Sequence, residues 1–137
     1  MNDFFAELEE VFGYVYLDAF SDDLYENNIY TNLGLTLFSV NLIWMIIYYY
    51  VINHPRFSNL KGWLIWIVLG GSLNFILTYS ISFNALSEIY FNNQKEMIFS
   101  NEFSILSSIN FIWSMIICFL FSIILKLKST NASQTPF

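Results

Sequence analysis

Asn41, Asn74, Ser114, Cys118 and Ser122 are polar side chains set inside stretches otherwise rich in Ile, Leu, Phe and Trp. An amide, hydroxyl or thiol in such a place can hydrogen-bond to a second helix or line a water path. The spacing argues that these groups act in rows. Gly70, Asn74, Thr78 and Ser82 recur every four residues, with Gly71 alongside. Ser104 and Ser108 are four apart, and so are Ser114, Cys118 and Ser122; Gly34 and Asn41 are seven apart. At about 3.6 residues per turn, each series draws one skewed stripe down a helix. An Asn facing lipid would leave its amide unsatisfied, so Asn41 and Asn74 are expected to face protein, with each other as the natural partners.

Other chemistry is sparse. His54 stands beside Pro55 in a short turn, where a structural role is expected. Cys118 is a lone thiol within a small-residue stripe and is expected to pack. No Ser–His–acid set, Cys/His metal spacing or Gly-rich phosphate loop is visible. No catalytic, cofactor-binding or metal-binding residue is therefore assigned. The stripes carry no ionisable carboxylate, amine or imidazole, which argues against proton relays, ion-coupled transporters and voltage sensors.

The elements that position these residues are three uncharged, aromatic-rich stretches, at about 29–52, 63–83 and 103–125. A spanning helix needs about 20 mainly apolar residues, and each stretch suffices. Of the 137 residues 56% are hydrophobic and 12% charged, about half the charged share of a soluble domain. The fold class is therefore an all-α integral membrane protein with three transmembrane helices. It divides into an acidic segment, 1–28, a three-helix bundle, 29–125, and a short tail, 126–137.

The net charge of −6 is sharply sorted. Residues 1–28 hold Asp3, Glu7, Glu9, Glu10, Asp18, Asp22, Asp23 and Glu26 and no Lys or Arg. Arg56 and Lys61 lie between the first two spans, and Lys126 and Lys128 follow the third. Basic loops favour the cytoplasmic side, which predicts N-out, C-in topology and a bacterial inner (cytoplasmic) membrane location. The first span is expected to direct insertion, since no short apolar core ends in a small-residue cleavage site. Phe5, Leu8, Phe12, Val15 and Ala19 mark one face of a single amphipathic helix over 3–20, with Asp3, Glu7, Glu10 and Asp18 opposite. This acidic helix is expected to lie at the outer interface and to pack on protein, because anionic lipid would repel it. Ser21, Asp22 and Asp23 read as a break, with Asp22 or Asp23 capping the helix that becomes span one. Tyr48, Tyr49, Tyr50, Trp63 and Trp66 are expected to form an aromatic belt at the inner face. A short helix is expected near 86–91.

Two kinds of function fit. The first is a non-catalytic, oligomerising structural or anchor subunit of a membrane-envelope complex. Its partners would be the lipid bilayer, further copies of itself, or a membrane or periplasmic protein, and not nucleic acid. The second is a homo-oligomeric pore lined by the polar stripes, with Asp22, Asp23 and Glu26 as a carboxylate patch at its outer mouth. In span count, orientation and a short basic tail, the chain resembles the three-span phage holins. That resemblance is one of architecture and implies membrane permeabilisation; small toxins and anti-phage effector channels fall into the same physical class.

Overall fold

The computed structural model describes residues 1–52, 59–94, 96, 97 and 99–126. His54, Pro55 and Arg56 of the first connection, Lys95 of the second, and the tail from residue 127 lie outside the described residues. The elements are helices throughout: α1 Asn2–Glu9, α2 Ala19–Glu26, α3 Ile29–Ile46, α4 Leu60–Asn92 and α5 Glu102–Lys126. A π-helical stretch, Ile47–Ile52, continues α3. Three helical spans, Ile29–Ile52, Leu60–Asn92 and Glu102–Lys126, are long and apolar enough to cross a membrane. The chain is thus a multi-pass membrane protein.

Its packing follows from a solvent that cannot hydrogen-bond. Leu35, Ile43, Ile65, Ile76, Ile112 and Ile124 point outward, where lipid tails accept them without cost. Asn41, Asn74, Asn110 and Ser114 point inward, where other helices supply polar partners, while Ser82 and Ser107 point inward and donate back to carbonyls of their own helices. Glycines set the closest approaches. A Cβ on Gly70 would stand 2.8 Å from the Trp44 indole of α3, and one on Gly71 would stand 3.0 Å from the Phe111 ring of α5. The adjacent glycines therefore let α4 receive a bulky ring on each of two sides.

Three layers stack along the bundle. At one end, called the cap end, Phe5, Phe20, Leu24, Tyr30, Leu33, Leu86 and Phe103 form an apolar core. At the other, the hairpin end, Met45, Tyr48, Tyr49, Trp63 and Ile67 form a second. The asparagine layer lies between them. α4 begins at the hairpin end, where the Asn59 side chain accepts from the Gly62 amide at 2.7 Å and caps it.

Several expectations are corrected. The helix anticipated over 3–20 is two helices separated by an irregular turn. Val11, Phe12 and Gly13 have φ of 52°, 56° and 83°, and Asp18 has φ of 47°. The left-handed region is costly for a β-branched residue such as Val11, so tertiary contacts must impose the break. They do: the Trp113 indole donates to the Leu8 carbonyl at 2.9 Å, and the Tyr30 hydroxyl donates to Glu10 at 2.9 Å. With the end of α1 pinned, only a turn can bring Phe20 and Leu24 back over the bundle, where both are fully buried. Phe12, assigned to the packing face, is exposed instead. Ser21, Asp22 and Asp23 are not a break but lie inside α2, and Asn28, not an Asp, precedes α3. The short helix near 86–91 is the end of α4, whose 33 residues extend well past the expected limit at 83. At ~1.5 Å per residue, α4 reaches about 50 Å, beyond a hydrocarbon core of about 30 Å. The excess forms the wall on which α2 rests, with the Tyr90 hydroxyl donating to Asp23 at 2.5 Å.

Candidate functional site

The middle layer is a hydrogen-bonded network drawn from three helices. The Asn41 Oδ1 accepts from Asn74 Nδ2 at 3.2 Å, Ser114 Oγ at 2.6 Å and Cys118 Sγ at 3.0 Å. Asn74 Nδ2 also approaches Ser114 Oγ at 3.0 Å and the Gly70 carbonyl at 3.1 Å. Asn41 returns its own amide to the Leu37 carbonyl at 2.7 Å. Each of these side chains is buried, and one acceptor ties α3, α4 and α5 together. The two asparagines meet, as their shared depth predicts.

The outer ends of the rows behave differently. Thr78 and Ser82 are buried, and the Ser82 hydroxyl donates to its own helix at the Thr78 carbonyl, 2.7 Å away. Ser108, assigned to the inner stripe, is exposed and donates back to the Ser104 carbonyl. Its expected place is taken by Ser107 and Asn110, both fully buried. The signal was present: Asn110, Ser114, Cys118 and Ser122 form one unbroken four-residue series.

At the hairpin end, the expected belt turns inward. Tyr48, Tyr49 and Trp63 are buried, while Tyr50 remains exposed. Ser122 is the shared anchor, accepting from the Trp63 indole at 2.9 Å and hydrogen-bonding the Tyr49 hydroxyl. Trp44 and Trp66 stack with centroids 4.3 Å apart, and each indole donates to the other's backbone carbonyl. Ser122→Ala removes the oxygen that the Trp63 indole and the Tyr49 hydroxyl share. We expect a loss of about 1 kcal/mol in bundle stability, measured by reversible unfolding in mixed micelles.

At the cap end, the acids are tied down locally. Asp22 accepts from the Tyr16 hydroxyl at 2.5 Å, Asp3 from the Tyr25 hydroxyl, and Asp23 from Tyr90, while Glu26 is exposed. The bond to Asp22 holds the Tyr16 phenol proton and raises its pKa to about 12; the bond to Asp3 raises that of Tyr25. Asp3, Glu7, Glu10 and Asp22 line a cleft of about 300 Å³ together with Tyr16 and Tyr25. Among the described residues, no three His, Cys, Asp or Glu side chains converge on a point where a metal ion could sit.

No protein-family model, curated protein or solved structure matches the chain. The residues themselves must therefore carry any functional reading. The most unusual of them was not assigned from the sequence. Glu9 is fully buried at the end of α1, against α5, where its Oε2 accepts from Asn110 Nδ2. Burial raises its carboxyl to about 8, and the bond from Asn110 opposes this only in part. Phe5, one turn earlier, lies where a Gly34 side chain would be, with the missing Cβ position 2.0 Å from its ring. Gly34 is thus a socket for Phe5 as well as a member of the α3 stripe.

Proposed function

We propose that this chain is a non-catalytic anchor: a small polytopic subunit that holds a membrane-envelope complex in the bilayer. The observation that carries this is the closure of the asparagine layer. Asn41, Asn74, Ser114 and Cys118 satisfy one another within one copy, so the bundle needs no second chain to complete its core. A pore wall would have to turn the same groups toward water. Partners would instead meet the outer surface. Ser104 and Ser108 form an exposed small-residue pair on α5, the kind of face on which a second membrane helix can approach closely. The cap adds Glu26, Phe12 and Tyr14, all exposed, as a surface for a protein outside the bilayer. The sorted charges favour the cap outside and the Lys61 and Lys126 end in the cytoplasm of a bacterial inner membrane.

Purification in mild detergent, followed by mass photometry and mass spectrometry, tests the proposal. An anchor brings a stoichiometric partner, with or without copies of itself. A partner-free homo-oligomer that conducts ions in planar bilayers would instead make it a pore.

A further inference from the structure

Two buried polar atoms among the described residues have no hydrogen-bond partner: Glu9 Oε1 and Asn110 Oδ1. They belong to the same pair of side chains. Asn110 Nδ2 already donates to Glu9 Oε2, so the two orphan oxygens are the remaining atoms of two planar groups in contact. Both are acceptors if Glu9 is a carboxylate, and neither then has a donor. A carboxylic acid and a primary amide, by contrast, are complementary. The amide N–H donates to one acid oxygen, and the acid O–H donates back to the amide oxygen. One proton on Oε1 would satisfy both orphans at once.

The surroundings favour that proton. Among the described residues, the side chains that interact with Glu9 include Tyr30 from α3 and Asn110 from α5, with Glu10 next to it in the chain, and none of these is a cation. Ser21 of α2, which bonds the Leu17 amide at 3.0 Å, is also uncharged. Lys61 and Lys126 stand at the hairpin end, and the amino group of Met1 is at the far end of α1, about 12 Å away along the helix. A buried carboxylate without a cation is far costlier than a buried acid.

We propose that Glu9 and Asn110 form a proton-bound latch, an acid–amide pair that holds α1 in the groove between α3 and α5 and lets it go when the proton leaves to the water at the cap end. The pair binds a proton, and its output is the position of the N-terminal cap. Docked, the cap buries Phe5 against Gly34; undocked, it exposes this apolar socket on α3. The sign follows from linkage. The docked carboxyl, near 8, holds its proton more tightly than the free one at 4.5. Docking is therefore strongest in acid, weakens by about tenfold per pH unit between those two values, and is constant above the upper one.

The full chain in lipid nanodiscs supplies the test. Infrared titration should show a protonated carboxylic acid well above the ordinary carboxyl range, with a midpoint near 8, that is missing in Glu9→Gln. Amide exchange of residues 5–10, corrected for the intrinsic rate at each pH, should quicken by about tenfold per unit as pH rises toward that midpoint. In Glu9→Gln, whose amide can make both hydrogen bonds, exchange should stay slow and flat with pH. Wild-type exchange that is independent of pH would overturn the latch. So would the lack of a protonated carboxylic acid in the wild-type chain at pH 7, a result that needs no folded variant.

Discussion

Asn41→Leu should loosen the bundle more than any other single change in the middle layer. Its Oδ1 is the common acceptor for Asn74, Ser114 and Cys118, so one substitution removes hydrogen bonds to two other helices. Interhelical hydrogen bonds in membranes average about 0.6 kcal/mol, which puts the loss of three near 2 kcal/mol. Leu also brings a branched side chain to a site that is fully enclosed, and overpacking adds to the cost. Ser114→Ala removes one hydroxyl from the same network and should cost less than half as much. Unfolding of both variants in mixed micelles measures the difference. Equal stability of Asn41→Leu and wild type would mean that the Asn41 amide does not face the other helices.

The second large effect is expected at Gly34→Ala, and it should appear in the cap while leaving the spans intact. The added Cβ would fall 2.0 Å from the Phe5 ring, an overlap that only movement of Phe5 can relieve. Phe5 is 6% exposed, and giving up its burial costs about 2 kcal/mol. That corresponds to roughly a 30-fold rise in the open population of α1. Limited proteolysis and amide exchange of residues 1–28 should quicken by that order, with exchange in α4 and α5 unchanged. Gly34→Ala and Glu9→Gln act on the same docking step from opposite sides, one emptying the socket and the other keeping the latch closed.

How much of this was legible depends on whether a residue's partner is fixed by the membrane or by a particular tertiary contact. The three spans were legible, because lipid demands an apolar run of set length. So was the encounter of Asn41 and Asn74, since two amides at similar depth have few other places to go. The row on α5 was misread in part. Ser104 and Ser108 share the four-residue rhythm of Ser114, Cys118 and Ser122, yet only Asn110 keeps that rhythm in phase with them. Choosing the phase needed the row to be extended backward from Ser114 instead of forward from Ser104. The end of α4 was obscured because a helix that runs past the membrane can become polar, and Asn84 and Glu88 look like a loop.

The cap was the least legible part. Apolar residues at helical spacing run on through Phe12 and Val15, so nothing local announces the turn at Val11–Gly13. The break comes from Trp113 and Tyr30, residues about 105 and 20 positions away along the chain, fixing Leu8 and Glu10. Glu9 was hidden for the same reason. Among neighbouring acids it reads as one more solvated carboxylate, and only the position of Asn110 sets it apart.

Labelling of Cys118 tests the central claim, a bundle closed around its own polar groups, most directly. It is the chain's one cysteine, it is fully buried, and its thiol is bonded within the asparagine layer. Intact membrane vesicles would be treated with a small, charged, water-borne thiol reagent, and a denatured sample would give the full extent of reaction. An anchor with a closed core predicts that Cys118 stays unlabelled until the protein is denatured. Rapid labelling in intact vesicles would place water beside Asn41 and Asn74, and would contradict the closed bundle in favour of a pore.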